Sequence, residues 1–143
     1  LAGILLGKRN GAIACAVYLV LGLAGLPIFT QGGGIWYLTQ PTFGYIIGFV
    51  FGAWLTGAIV ESHPDPSFKT IVLAWLAGLA VIYACGLVYF YCIQSFYLDS
   101  GMTIWTVLFY GFLTCIPGDL VMTFIGSYLG KRLLAVDAIR PQR

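Results

Sequence analysis

The sequence predicts an all-α integral membrane protein, and three observations support this fold class. Of the 143 residues, 60% are hydrophobic and only 8% are charged. Soluble domains carry about 25% charged residues, so a chain with so few cannot cover a water-facing surface. The apolar residues form continuous runs of bilayer length and do not alternate with polar ones, which favours helices over a barrel. All seven lysines and arginines also fall on one side of the predicted membrane.

Four apolar runs are long enough to span a bilayer, since a spanning helix needs about 20 apolar residues. A shorter apolar segment precedes them, and we interpret it as the inner end of an earlier span. We therefore expect a single transmembrane domain in an N-terminally incomplete chain. Its predicted parts are a stub of the earlier span at residues 1–7, spans at about 11–29, 43–60, 70–94 and 117–133, and outer loops at 30–42 and 95–116.

The last apolar run is too long for one span. As a single helix, residues 104–133 would reach about 45 Å, whereas the hydrocarbon core is about 30 Å thick. Pro117-Gly118 lies within this run, and such a pair breaks or begins a helix. We therefore predict that the span begins near Pro117 and that residues 104–116 lie at the outer face or dip into it.

The basic residues predict the orientation of the chain. By the positive-inside rule, the side that carries them faces the cytoplasm. The four spans then place both termini in the cytoplasm of a multi-pass protein of the cell membrane. The loops on the opposite side carry one charged residue, Asp99, which we interpret as solvated. The seven basic residues are Lys8, Arg9, Lys69, Lys131, Arg132, Arg140 and Arg143.

The sequence has none of the motifs GxSxG, HExxH or GxxxxGK[ST], and no predicted span contains a histidine. We therefore expect no enzymatic activity. The short inner loop with Glu61, His63 and Asp65 is interpreted as solvated. No basic stripe indicates nucleic-acid binding, and neither a metal nor a cofactor is expected. The cysteines lie in apolar runs without a CxxC pair, which favours packing over metal or redox chemistry: Cys15, Cys85, Cys92 and Cys115.

Asp119 is the only acidic residue within the predicted spans. A carboxylate there is costly unless it is paired or hydrated. One interpretation is that Asp119 caps the N-terminus of the helix that follows Pro117-Gly118. The other is that it faces a cavity, where its two oxygens accept two N–H donors of a ligand. Both can hold together.

The outer connection around residues 25–45 combines glycines, prolines and aromatic residues without any charge. Glycines at positions 32–34 allow close backbone approach, and their N–H groups are candidates for an anion-binding nest. Trp36, Tyr37 and Tyr45 suit packing on a flat apolar ligand. The alternative is a plain loop whose Trp and Tyr residues anchor it at the membrane interface.

Three separated motifs resemble those of the BioY family of biotin transporters, whose members are S components of energy-coupling-factor transporters. The resemblance covers nearly the whole chain and implies a six-helix fold with a biotin site near the outer face. By this resemblance the stub at residues 1–7 would be the end of helix two, and the rest of the chain would correspond to helices three to six. The motifs are Tyr18-Leu19 with Gly25-Leu26-Pro27-Ile28-Phe29, Gly33-Gly34 with Pro41-Thr42-x-Gly44-Tyr45-x-x-Gly48-Phe49, and Pro117-Gly118-Asp119.

The resemblance implies a substrate-binding subunit that captures biotin at the outer face for ATP-driven uptake. Its partners would be a transmembrane coupling subunit and two ATP-binding cassette ATPases, within the lipid bilayer. It also implies that Asp119 accepts the two ureido N–H groups of biotin, and that the glycine-rich loop and the following helix start line the pocket. The candidate ligand-binding residues are Asp119, Gln31, Gly33, Gly34, Thr42, Tyr45 and Trp36.

The sequence departs from the family pattern in places. Met122 stands where members often have a lysine, and Phe43-Gly44 stands where they often have two glycines. Ile46 occupies a place where a charge is expected. An S component for another vitamin, such as thiamine or riboflavin, and a structural membrane protein without transport activity are therefore the alternatives.

The carboxylate of biotin has no evident cationic partner, because the outer half of the chain contains no lysine or arginine. Our hypothesis is that loop N–H groups, Gln31, Thr42 or Tyr45 hold this carboxylate. Alternatively, a group in the missing N-terminal part binds the carboxylate, or the carboxylate stays partly in water.

Overall fold

The protein is almost entirely helical in this computed structural model, which describes residues 2–29, 32–40, 43–97 and 103–136. Within these ranges no strand forms, and one antiparallel bridge pairs Phe29 with Gly32. The predicted all-α fold class is confirmed. The helices are α1 (Ala2–Leu23), α2 (Phe43–Glu61), α3 (Phe68–Cys92), α4 (Ile104–Leu108) and α5 (Ile116–Leu134), with a 3₁₀ turn at Ile35–Thr39 and π-helical turns at Ile93–Tyr97 and Phe109–Leu113.

By length and composition alone, three of the described helices could cross a membrane: Ala2–Leu23, which turns at Gly7, Phe43–Glu61 and Phe68–Phe96. The last of these joins α3 to the first π-helical turn. Helix α5 covers the fourth predicted span but carries Asp119, Lys131 and Arg132, and it is not among the three. A spanning α5 and the count of six helices stay predictions.

Helix α1 changes direction at Gly7, whose backbone is non-helical with φ 84° and ψ 171°. Glycine adopts this region without steric cost because it has no Cβ. Beyond the turn, Gly11 lies against Gly3, so that a Cβ atom on Gly11 would be 2.8 Å from the Gly3 Cα. The short segment before Gly7 and the helix after it therefore lie side by side.

Glu61, at the end of α2, holds the Gly7 turn in place. Its Oε1 accepts a hydrogen bond from the Lys8 backbone N–H at 2.8 Å, and Lys8 Nζ lies 3.8 Å from Oε2. The N–H groups at a helix start have no partner within the helix, and the helix dipole favours a carboxylate there. Glu61 thus has a structural partner that the sequence did not predict, although its side chain is still 25% exposed, and His63 and Asp65 are exposed.

A row of small residues lets α2 and α3 pack closely. A Cβ atom on Gly44 would lie 2.2 Å from the Tyr89 Cβ, and one on Gly48 would lie 2.8 Å from the Ile82 Cα. Small residues four positions apart allow this backbone approach between helices in membranes. Thr56 continues the row, and its buried hydroxyl donates to the Ala74 carbonyl at 3.1 Å.

Residues 103–116 differ from the sequence prediction of a loop, because their backbone is largely helical. Helix α4 leads through the second π-helical turn into α5, and both α4 and this turn contact α3. An apolar segment near lipid must satisfy its backbone hydrogen bonds internally, which favours helix over loop. Pro117 lies in the first turn of α5, where its missing N–H costs no helical hydrogen bond.

We predict that Gly48→Ala destabilises the protein, because its methyl group would meet the backbone of Ile82. Overpacking of this kind costs about 1–3 kcal/mol, or a decrease in Tm of several degrees. The measurement is thermal unfolding of the full-length protein in detergent. Gly118→Ala is the matched control, because a Cβ atom there meets nothing within 4 Å. Equal Tm values for the two variants would contradict the packing described for α2 and α3.

Candidate functional site

A cavity of about 430 Å³ lies between α1, α2, α3 and the start of α5. Small-molecule sites are typically clefts of about 300–1,000 Å³ with mostly apolar walls and a few polar groups that orient the ligand. This cavity fits that description, because aromatic and aliphatic side chains surround a single carboxylate. The lining residues are Tyr18, Tyr37, Tyr45, Ile46, Phe49, Leu79, Ile82, Tyr83, Phe90, Tyr110, Cys115 and Asp119.

Asp119 lies in the first turn of α5, but it is not the helix cap. The N-cap is Cys115, whose side chain makes no capping hydrogen bond, so the N-cap interpretation of Asp119 was wrong. The Asp119 N–H donates to the Cys115 carbonyl at 3.1 Å, and Thr123 Oγ1 donates to the Asp119 carbonyl at 2.7 Å. The backbone of Asp119 is thus held within the helix while its carboxylate lines the cavity, near the positive end of the helix dipole.

Tyr83 is the protein partner of this carboxylate. Its hydroxyl donates to Asp119 Oδ2 across the gap between α3 and α5. The ring is only 8% exposed. It makes edge contacts with Tyr45, at 6.0 Å between ring centroids, and with Phe112, at 5.0 Å. An ionised carboxylate offers about four lone-pair sites, so Asp119 can accept further N–H donors beside this hydroxyl.

The predicted site residues divide into three groups. Asp119 and Tyr45 line the same cavity, although they lie on α5 and α2. Gly33, Gly34 and Trp36 lie in the preceding loop and are not among the lining residues of this cavity. Gln31 and Thr42 lie outside the described residues.

The glycine-rich loop around residues 32–34 is bound to the end of α1 by backbone hydrogen bonds. The Gly34 N–H donates to the Gly22 carbonyl at 2.7 Å, and the Gly32 N–H donates to the Phe29 carbonyl at 3.0 Å. The indole N–H of Trp36 donates to the Gly33 carbonyl at 2.6 Å. The N–H group of Gly32 is therefore paired within the loop and that of Gly34 with α1, and in this conformation they do not form an anion nest.

Tyrosine side chains hold the same loop over the cavity. Tyr37 is 1% exposed, lines the cavity and packs on Phe29, with 4.7 Å between the ring centroids. The Tyr18 hydroxyl donates to the Ile28 carbonyl at 3.0 Å, and the Tyr89 hydroxyl donates to the Leu38 carbonyl. The loop is thus connected to both α1 and α3 at one end of the cavity.

The sequence analysis missed Tyr83. A signal was present, since Tyr83 places a hydroxyl in the middle of a long apolar helix, and a buried tyrosine hydroxyl usually has a hydrogen-bond partner. Asp119 is the one acidic residue in the other predicted spans. A hydrogen bond between these two polar groups could therefore have been predicted from the sequence. Among the described residues, no group of three His, Cys, Asp or Glu side chains is arranged to hold a metal ion.

Comparisons with known proteins identify the family and the fold. The BioY family profile matches residues 1–138. The probable biotin transporter BioY of Lysinibacillus sphaericus is 40% identical over 95% of this chain and 69% of that protein. The biotin transporter BioY of Rhizobium etli is 32% identical over 100% of this chain and 77% of that protein.

A solved structure shows the same fold. It is the crystal structure of the S-component for biotin from an ECF-type ABC transporter. It matches with a TM-score of 0.78 and 26% identity, covering 94% of this chain and 70% of that one. The family is one of transporter components and not of enzymes. Since the profile covers nearly the whole length and the structural match agrees, this chain belongs to the BioY family of multi-pass membrane proteins.

Proposed function

We propose that this protein is the substrate-binding subunit of a biotin importer, which captures biotin at the outer face of the cell membrane for ATP-driven uptake. The observation that carries the proposal is the Asp119 carboxylate, which lies in an otherwise aromatic and aliphatic cavity. Relatives and a solved structure that are named for biotin support the choice of ligand.

The chemistry of biotin complements this cavity. Its ureido group presents two N–H donors at one end, and its thioether ring and valeryl chain are apolar. Asp119 accepts the two N–H groups, and hydrogen bonds to a charged group contribute about 1.5–3 kcal/mol each. The aromatic walls bury the ring and the chain, which contributes about 25 cal/mol for each Å² of apolar surface removed from water.

Side chains at the outer end of the cavity hold the carboxylate of biotin. The Gly32 and Gly34 N–H groups already have backbone carbonyl partners, which favours side chains over a backbone nest. Tyr45 lines the cavity, and Gln31 and Thr42 stand in the connection between α1 and α2. Gly33, Gly34 and Trp36 support the site by holding the loop over it.

Both termini lie in the cytoplasm, and the basic residues mark that side. Lys8 pairs with Glu61 at the end of α2. Leu134, next to the basic pair at the end of α5, packs in one buried cluster with Ile4 and Val60. These segments meet at the end of the bundle opposite the glycine-rich loop, as one cytoplasmic face requires.

The subunit works with a transmembrane coupling subunit and two ATP-binding cassette ATPases. The sequence has no P-loop motif of its own, so the energy for uptake comes from these partners. An S-component from an ECF-type ABC transporter is the solved structure that this fold matches, which supports such an assembly.

We predict that Asp119→Asn weakens biotin binding by about 10- to 100-fold, because asparagine loses the charge and one of the two acceptor oxygens. Isothermal titration of the full-length protein in detergent measures the Kd, with thiamine and riboflavin titrated in parallel. Asp65→Asn is the matched control, because it makes the same chemical change at an exposed residue in the loop between α2 and α3. A wild-type protein that ignores biotin contradicts the proposed function, whereas an unaffected Asp119→Asn contradicts only the role of this residue.

We predict that Gln31→Ala or Thr42→Ala weakens the binding of biotin but not of biotin amide, whose chain end is uncharged. The reason is that these side chains would hydrogen-bond the ligand carboxylate, for which the outer half of the chain offers no cation. Titrations with both ligands measure the difference. Unchanged biotin affinity in both variants would show that these side chains do not hold the carboxylate.

We predict that saturating biotin slows thiol labelling at Cys115 several-fold. Cys115 is exposed and lines the cavity, so a bound ligand would block the reagent. Cys92 is also exposed but lies in a separate groove between α2 and α3, and it serves as the internal control. Single-cysteine variants of the full-length protein allow the two rates to be compared. Equal protection of both thiols, or of neither, would contradict this position for the ligand.

A further inference from the structure

Tyr83 and Asp119 form a hydrogen-bonded pair inside the cavity, and the proposed function uses only the second of them. Resting on the proposed biotin site, we infer that Tyr83 is a positioning residue. It orients the Asp119 carboxylate and thereby makes the site selective for ligands that bring N–H donors. Its hydroxyl acts through Asp119, to which it donates a hydrogen bond at Oδ2.

The ring of Tyr83 is held by three elements of the fold. It belongs to α3 and makes nearly perpendicular edge contacts with Tyr45 on α2 and with Phe112 in the second π-helical turn, at interplanar angles of 90° and 86°. A ring that is 8% exposed and contacted from two sides has little freedom to rotate. The position of the hydroxyl is therefore set by packing, before any ligand binds.

Asp119 needs such a partner because no cation supports it among the described residues. The ion pair among these residues joins Lys8 to Glu61 near the Gly7 turn. It lies at the end of α2 opposite the glycine-rich loop. An ionised carboxylate in apolar surroundings is costly unless it is hydrogen-bonded. The Asp119 backbone is already fixed by Thr123 and the first turn of α5. The Tyr83 hydroxyl supplies a donor and restricts the side-chain rotation that remains.

This arrangement makes the cavity selective for ligands that carry N–H groups. With Tyr83 donating to Oδ2, the carboxylate presents acceptors alone to the cavity, at a fixed orientation. A ligand with N–H groups at matching positions pairs with them, whereas one that lacks an N–H group leaves a buried acceptor unpaired. Sites built in this way reject such analogues far more strongly than apolar contacts do. Without the Tyr83 hydroxyl the carboxylate can rotate, and this discrimination weakens.

The test compares biotin with an analogue that is methylated on one ureido nitrogen, in the full-length protein. We expect Tyr83→Phe to weaken biotin binding by about 10-fold or more, with a much smaller change for the analogue. In an Asp119→Asn background the same substitution should add little, because the hydroxyl acts through the carboxylate. Phenylalanine keeps both edge contacts, and a second hydroxyl-free variant, Tyr83→Met, gives the same comparison if Tyr83→Phe fails to fold.

Tyr18→Phe is the control for loss of a hydroxyl in the same cavity. Its hydroxyl contacts the Ile28 carbonyl, so we expect it to change the affinities for biotin and the analogue by the same factor. Three results would overturn the inference: unchanged biotin affinity in Tyr83→Phe, equal weakening for both ligands, or full additivity with Asp119→Asn. Failure of the wild-type protein to bind biotin would instead overturn the proposed function.

Discussion

The absence of hydrogen-bonding solvent inside a bilayer is the constraint on which this structure depends. A polar group in the bundle is therefore costly unless it has a partner within the protein, and among the described buried side chains only the Ser127 hydroxyl lacks one. The backbone meets this demand by forming helices, even across residues 103–116, for which a loop was predicted. Side chains meet it by pairing across helices, as Thr56 does with the Ala74 carbonyl and Tyr83 with Asp119. The second pair lies in the cavity, so the same constraint that stabilises the bundle also shapes the site.

Tyrosines carry most of this pairing at the end of the bundle where the glycine-rich loop lies. Tyr18 and Tyr89 donate to carbonyls of the glycine-rich loop, Tyr37 packs beneath it, and Tyr83 donates to Asp119. A tyrosine combines a large apolar ring with one donor, which suits the boundary between lipid and a polar site. A lysine or arginine at these places would bring a charge that the apolar surroundings do not stabilise. The cavity therefore holds a single carboxylate in an aromatic enclosure.

The two ends of the bundle differ in charge. One end gathers Lys8, Glu61 and the basic pair at the end of α5, while the other carries the uncharged loop. An acidic group in a cavity without cations attracts donors and repels anions. Biotin presents donors at one end and a carboxylate at the other, so the proposed orientation places the ureido group at Asp119 and the carboxylate away from it.

The sequence by itself determined the membrane environment, the all-α fold class and the family, because composition, continuous apolar runs and local motifs need no three-dimensional information. It also identified Asp119, since a lone acid in an apolar span is conspicuous in one dimension. Only the tertiary structure decided that Cys115 takes the N-cap, that Glu61 stabilises the Gly7 turn, and that Tyr83 is the partner of Asp119. Glu61 and Lys8 are 53 residues apart, and Tyr83 and Asp119 are 36 apart. Such contacts depend on how helices pack and face one another, which hydropathy and spacing along one chain do not encode.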